Sequence, residues 1–169
     1  MEKLDIVLYP EQGLREVCKP VKEMTNDIDK LIDDMFYTMY DAPGIGLAAP
    51  QIAVQERIIV VDVSEKKDQP IALINPEIIR SAGQISWEEG CLSLPGIYAK
   101  VTRPSEVIVK GMNRDGKTIE IEADELLAIC LQHEIDHLNG KLFVDHLSGL
   151  KRSRALQQFR KQQMNQENT

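Results

Sequence analysis

The sequence predicts an α+β fold in which antiparallel β-sheets pack around a central helix, with one helix near the N-terminus and another at the C-terminus. Two segments, near residues 25–41 and 124–138, place apolar residues at steps of three and four, as amphipathic helices do. The region between them contains consecutive strand-like runs with no intervening helix. That order favours hairpin-paired strands over repeated βαβ units.

The first predicted helix begins near Thr25 or Asn26, both good N-caps. A breaker cluster, Asp41-Ala42-Pro43-Gly44, ends it and leads into the loop GIGLAAPQ at residues 44–51. Its buried stripe should consist of Ile28, Leu31, Ile32, Met35, Phe36, Met39 and Tyr40.

Strands are expected in the middle of the chain because short apolar runs alternate there with turn residues. The predicted strands are Arg57–Val63, Ile71–Arg80, Tyr98–Thr102, Glu106–Met112 and Thr118–Glu122. The last two should form a hairpin through Asn113-Arg114-Asp115-Gly116.

The second helix is predicted from about Asp124 to Leu138, where Asn139-Gly140 provides a C-cap. A third helix should start at the N-cap Ser148 and run to about Met164. Its residues available for packing are Leu150, Leu156 and Phe159. We expect one domain over residues 1–150 and a basic helical tail over residues 151–169, partly disordered at its end.

Length and composition exclude several classes of protein. The chain has 169 residues, 43% of them hydrophobic, which suits one domain with a real core. Its longest apolar run, Leu126–Leu131, falls far short of the roughly 20 residues that cross a bilayer. The start MEKLDIVLYPEQ resembles neither a secretion signal nor a transit peptide. We therefore expect a cytoplasmic protein with no membrane partner.

Charge and cysteine content narrow the classes further. A net charge of -7 argues against a DNA-binding protein. Residues 151–169 differ, with five basic residues against one acidic residue. Three cysteines, an odd number, argue for reduced thiols rather than a disulfide framework.

The second helix contains the pattern His-Glu-Ile-Asp-His at residues 133–137. His133 and His137 are four residues apart, so they lie on one face and could share a metal ion. Glu134 falls on an arc with apolar residues and should face the interior. Burial raises the pKa of a carboxyl and a nearby cation lowers it, so Glu134 could exchange a proton near neutral pH. The alternative is that both histidines are ordinary hydrogen-bonded residues and Glu134 is an ion-pair partner.

A catalytic metal site needs a third protein ligand. One metallopeptidase pattern requires a histidine six residues after the second one, where this chain has Phe143. Another needs a later glutamate, and the only one after His137 is Glu167, in the polar tail. Cys91 is the best upstream candidate, because Gly90 and Pro95 predict a sharp turn around it.

Other cysteine and histidine residues fit the site less well. Cys130 would give a closed Cys2His2 site, but it lies about 10 Å along the helix axis from His137, so it should only pack beside the site. Cys91 could itself be a small buried apolar residue. His146 is expected at the surface, and Cys18 is expected to have no chemical partner.

Three segments together, GIGLAAPQ, EEGCLSLP and QHEIDHLNG, resemble the signature blocks of the bacterial peptide deformylases. The resemblance covers the chain from its N-terminus to about residue 150. It implies hydrolysis of the N-formyl group from the N-terminal formylmethionine of newly made proteins, releasing formate. It also implies one Fe²⁺ ion per chain, replaceable by Zn²⁺ or Ni²⁺, although the ligand types alone would suggest Zn²⁺.

The resemblance assigns roles to individual residues. It makes Cys91, His133 and His137 the metal ligands and Glu134 the acid and base, with Gln51 and the N–H of Leu92 as oxyanion donors. Together with the helical wheel it predicts an apolar pocket for the methionine side chain and a backbone contact at Gly46. The predicted pocket residues are Ile45, Leu126, Ile129, Cys130 and His133. As a further hypothesis, Glu89 orients a ligand histidine and pairs with Arg103.

Two other functions remain compatible with the residues. One is a small metallopeptidase that uses the same helix. The other is a module in which a structural metal braces the fold and the basic tail binds RNA. In a deformylase, the same tail could contact ribosomal RNA or remain a solvated basic helix.

Overall fold

Three α-helices and seven strands confirm the α+β prediction in the computed structural model, which describes residues 1–167. The helices are α1 (Asn26–Asp41), α2 (Glu125–Leu138) and α3 (Gly149–Glu167). The strands are β1 (Gly46–Ala48), β2 (Ile58–Val61), β3 (Ile71–Ala82), β4 (Ile85–Gly90), β5 (Tyr98–Arg103), β6 (Glu106–Met112) and β7 (Thr118–Asp124). Short 3₁₀ helices occupy Gln12–Arg15, Ala49–Ile52 and Phe143–His146.

The strands form two antiparallel sheets. The larger has the order β1-β2-β3-β6-β7, and β4 pairs with β5 alone. The predicted hairpin exists, since β6 pairs with β7 from Glu106 opposite Asp124 to Met112 opposite Thr118. Sequence reasoning missed β1 and β4. β1 has three residues inside a glycine-containing loop, and β4 is largely exposed and polar, so neither displays a strand pattern.

Strand β2 explains why the two main helices lie where they do. All four of its residues are buried, so both faces of the sheet are covered at this strand. Ile58 and Val60 belong to the apolar cluster of α1, while Ile59 and Val61 belong to the cluster of α2. Because alternate strand residues point to opposite faces, α1 and α2 pack on opposite sides of the larger sheet.

Helix α2 is the central element. It begins after Asp124, ends at Leu138 as predicted, and buries ten of its fourteen residues. Its first side contacts the larger sheet, and its histidines approach the end of β4 and the 3₁₀ helix Phe143–His146. Polar residues on such a helix are therefore enclosed by protein on all sides.

Helix α3 covers the small sheet through a single buried residue. Phe159 is 1% exposed and packs with Leu94, Val101 and Phe143. Leu156 is partly buried in the same cluster, but Leu150 is 63% exposed, so its predicted packing role is wrong. Nine residues of α-helix turn through about 180° relative to whole turns, which places Leu150 opposite Phe159.

The boundary at residue 150 remains a prediction, and the disorder predicted for the end of the tail concerns residues 168 and 169, outside the described part. No helix within residues 1–167 combines the length and apolar character needed to cross a bilayer.

Replacing Phe159 should show whether α3 is part of the core. We expect Phe159→Ala to lower the free energy of unfolding by about 3–5 kcal/mol, because it leaves a cavity under the helix. The matched change Leu150→Ala on the exposed face should stay within about 0.5 kcal/mol. Urea unfolding measures both, and equal losses would contradict the packing described here.

Candidate metal centre

Three side chains that could ligate a metal ion converge between α2 and the end of β4. One ligand atom from each of Cys91, His133 and His137 lies within 4.8 Å of the others. His133 and His137 lie one turn apart on α2, and Cys91 immediately follows β4. A turn closed by the Leu94 N–H to the Cys91 carbonyl oxygen, 3.0 Å long, directs the thiol toward the helix. Cys130 is absent from this cluster, as expected.

The geometry of this cluster fits a divalent transition metal. The Cys91 Sγ and His137 Nε2 atoms are 3.4 Å apart. Bond lengths of about 2.3 Å to sulfur and about 2.1 Å to nitrogen at a tetrahedral angle would place such atoms about 3.6 Å apart. One thiolate and two imidazoles are ligands that Fe²⁺, Zn²⁺ and Ni²⁺ accept. The residues therefore fit the cofactor that the sequence implies.

The electrostatics of the pocket also favour a cation. Burial alone would lower the pKa of His133, but the charge of Glu134 and hydrogen bonds to Cys91 and Glu89 raise it well above its usual value. The pKa of His137 is well below its usual value because of burial and the neighbouring His133 charge. Groups that favour a protonated imidazole at one position would equally favour a metal cation shared by both.

Two donors point at the sulfur of Cys91. The Ser93 N–H lies 3.4 Å from Sγ, and the Gln51 Nε2 atom lies 3.6 Å from it. Gln51 is held in place because its Oε1 accepts from the Ala48 N–H at 2.9 Å and its Nε2 donates to Ser93 Oγ at 3.1 Å. Hydrogen bonds of this kind stabilise a thiolate, the form that binds metal.

Glu134 lies beside the histidines and faces the interior, as the wheel predicted. It is 4% exposed, and its Oε1 has no hydrogen-bond partner in residues 1–167. Burial raises the pKa of Glu134 to about 7, so the carboxyl can both accept and donate a proton near neutral pH. Gly46 packs directly on it: a Cβ there would collide with Glu134 Oε2 and lie 2.8 Å from Cys130 Sγ.

A buried ion pair supports His133 from behind. Its Nδ1 lies 2.9 Å from Glu89 Oε1, and Arg103 binds both oxygens of Glu89, at 2.6 and 2.9 Å. Glu89 is 5% exposed and Arg103 is 4% exposed. Although burial opposes ionisation, the bonds to His133 and Arg103 keep the pKa of Glu89 below its usual value. The structure thus brings together the four groups of the predicted support, and it fixes which nitrogen of His133 remains for a metal.

A cavity of about 840 Å³ opens onto the cluster. All the predicted pocket residues line it, and so do Gly46, Gln51 and Leu92. The Leu92 N–H makes no hydrogen bond within residues 1–167, so it is free to donate into the cavity.

Sequence reasoning missed several residues around the site. Trp87 and Tyr98 line the cavity mouth and are 45% and 67% exposed, but no motif spacing marks them. Ser93, fully buried, could have been suspected as a polar residue two positions after Cys91. His146 is exposed as predicted, yet it is hydrogen-bonded to Asp136 on α2.

Comparisons with known proteins agree on one family. The family model described as polypeptide deformylase matches residues 3–153. A curated peptide deformylase of Hydrogenovibrio crunogenus is 76% identical over 169 residues, covering all of both chains. The crystal structure of a peptide deformylase from Legionella pneumophila is 49% identical with a TM-score of 0.94, covering 99% of each chain. One from Ehrlichia chaffeensis in complex with actinonin is 39% identical with a TM-score of 0.91, covering 96% of this chain and 98% of that one.

Removing the cation from the buried ion pair should be costly. We expect Arg103→Met to lower the free energy of unfolding by about 3–5 kcal/mol, because it leaves the Glu89 carboxylate buried without a countercharge. Arg114→Met is a matched control, since Arg114 also binds two aspartates, Asp29 and Asp33, but at the surface. That control should cost at most about 1 kcal/mol. Similar losses in the two variants, measured by chemical denaturation, would refute the importance of burial here.

Proposed function

Since this chain belongs to the polypeptide deformylase family, we propose that Cys91, His133 and His137 hold one Fe²⁺ ion, which Zn²⁺ or Ni²⁺ can replace. The chain removes the N-formyl group from the N-terminal methionine of newly synthesised proteins, a hydrolysis that releases formate. The observation that carries the ligand assignment is the convergence of one thiol and two imidazoles within 4.8 Å. The choice of Fe²⁺ comes from the family resemblance, because this donor set also suits the other two ions.

A metal bound here supplies Lewis acidity, which makes water more acidic and polarises the formyl oxygen. Glu134 takes the proton of the attacking water as its oxygen bonds to the formyl carbon. The carbon–nitrogen bond then breaks, and Glu134 passes the proton to the departing amine. A pKa of about 7 lets one carboxyl perform both transfers.

Gln51 and the Leu92 N–H stabilise the charge that develops on the formyl oxygen. Both lie on the cavity wall, and the Gln51 amide is held beside Cys91 by its bond to Ala48. To donate to substrate, Nε2 must exchange its contact with Ser93 or Cys91 for the formyl oxygen. Loss of one such donor typically costs about 3 kcal/mol of transition-state stabilisation.

The cavity explains how a formylmethionine would be held. The methionine side chain lies against Ile45, Leu126, Ile129 and Cys130, while Gly46 offers its backbone to the extended peptide. A formyl carbon carries only hydrogen, so a wall formed by Gly46 and Glu134 would admit it and exclude an acetyl methyl group. Glu89 and Arg103 act through His133, whose ring they orient.

The two competing functions make different predictions about substrates. A metallopeptidase would cleave unmodified internal peptide bonds, and a structural-metal module would turn over nothing. The family membership does not favour either of them.

We also propose that exposed cations on α3 contact ribosomal RNA, since the substrates emerge from ribosomes. Lys151, Arg152, Arg154 and Lys161 are exposed, whereas Arg160 is engaged with Tyr9 at 3.0 Å. The cytoplasm, where ribosomes translate, is the expected location.

Glu134→Gln tests the acid and base role. We expect unchanged folding and one metal ion per chain, with kcat on a formyl-methionyl peptide lowered by about 10²–10⁴-fold, because proton transfer is lost. Glu120→Gln, an exposed strand position, is the matched control and should keep full activity.

Formate release from formylated, acetylated and unmodified peptides completes that assay. Release from the formylated peptide alone supports the proposal, and turnover that survives Glu134→Gln would show the acid and base assignment to be wrong. Internal cleavage of unmodified peptide would indicate the metallopeptidase.

Neutralising the exposed cations of α3 tests the RNA contact without removing Phe159 from the core. Replacing Lys151, Arg152, Arg154 and Lys161 by glutamine should weaken ribosome binding and reduce its salt dependence by about 0.7–0.9 log units per lost phosphate contact. Hydrolysis of short formylated peptides should not change. The control replaces four exposed lysines elsewhere, namely Lys22, Lys66, Lys110 and Lys117. Equal ribosome affinity in wild type and the α3 variant would rule the contact out.

A further inference from the structure

The 3₁₀ helix Phe143–His146 lies directly behind the metal-binding side of α2. The Phe143 ring stacks on the His133 ring with centroids 6.0 Å apart and an interplanar angle of 21°. Arg15 holds the same segment from outside through an ion pair with Asp145, 2.6 Å long. Nothing in the chemistry proposed so far uses the last residue of this segment, His146.

His146 is joined to the ligand His133 by an unbroken series of hydrogen bonds. His146 Nε2 lies 2.8 Å from Asp136 Oδ2, and the same oxygen accepts from Arg103 Nη1 at 2.9 Å. Arg103 continues to Glu89, which contacts His133 Nδ1 at 2.9 Å. Burial increases along the series, from a His146 side chain 35% exposed to an Arg103 side chain 3% exposed.

The charges in this series do not balance without His146. Arg103 is a single cation between two carboxylates, those of Glu89 and Asp136. Its Nε and Nη2 atoms bind Glu89, which leaves Nη1 for Asp136. The Nε2–H of His146 is the second donor to Asp136 Oδ2, so the Asp136 carboxylate does not depend on Arg103 alone.

We propose that His146 is a positioning residue for the metal centre: by donating to Asp136 it holds Arg103, and through Glu89 it holds the ring of His133. The inference rests on the proposed metal ligation by His133. Without the His146 donor, Asp136 is free to turn toward solvent and Arg103 Nη1 loses a fixed partner. The bidentate grip on Glu89 then loosens, and the orientation of His133 becomes less defined.

Partners of metal-ligating histidines usually affect metal affinity by about 10–100-fold, and His146 acts from farther away. We therefore expect His146→Leu to weaken Co²⁺ binding by about tenfold, the lower end of that range. His146→Gln should restore most of the affinity, since its amide can donate to Asp136 as Nε2 does. Titration of metal-free full-length protein with Co²⁺ against a chelator gives the affinity, and the ligand-field absorption of bound Co²⁺ reports the ligand geometry.

Arg15→Leu is the matched control, because it releases the same 3₁₀ helix but leaves the Asp136 contact in place. The proposal predicts an altered Co²⁺ spectrum and weaker binding in His146→Leu, with near wild-type values in His146→Gln and Arg15→Leu. Wild-type affinity and spectrum in His146→Leu would overturn it, as would equal defects in His146→Leu and Arg15→Leu. Failure of the metal ligation itself is distinguishable, because wild type and Cys91→Ala would then give identical Co²⁺ spectra.

Discussion

The site depends on one encounter, that of the Cys91 thiol at the end of β4 with two imidazoles on α2. These groups come from elements more than forty residues apart, and both the turn after β4 and the burial of α2 serve to hold them together. The interior that encloses them contains Glu134 and Glu89 as well, so negative charge accumulates where water is scarce. Such an arrangement is stable only with a cation or protons among the groups.

The burial that makes the site costly also gives it its chemistry. Glu134 has no partner for one oxygen and a pKa near 7, because Gly46 closes over it and excludes water. The pKa of Glu89 shifts the other way because Arg103 compensates it, so this carboxylate stays charged and orients His133. Two glutamates around the same histidine therefore have separate tasks, set by whether a guanidinium faces them.

The sequence predicts the helices, most strands and the ligand pattern because these follow from local spacing. Four-residue separation places His133 and His137 on one face, and apolar steps define α1 and α2. Cys91 could be reached by elimination, but its roles and those of Gln51 and Leu92 came from family resemblance. Strand β4, Ser93 and the Asp136–His146 contact could not be predicted, since they depend on how distant segments pack. Leu150 failed for a related reason: three apolar residues on a helix do not reveal which face meets the core.

X-ray absorption at the iron edge of anaerobically purified protein measures the central encounter most directly. One sulfur and two nitrogen ligands in the inner shell, with the sulfur lost in Cys91→Ala, would agree with the structure described here. An inner shell without sulfur in the wild-type protein would contradict it.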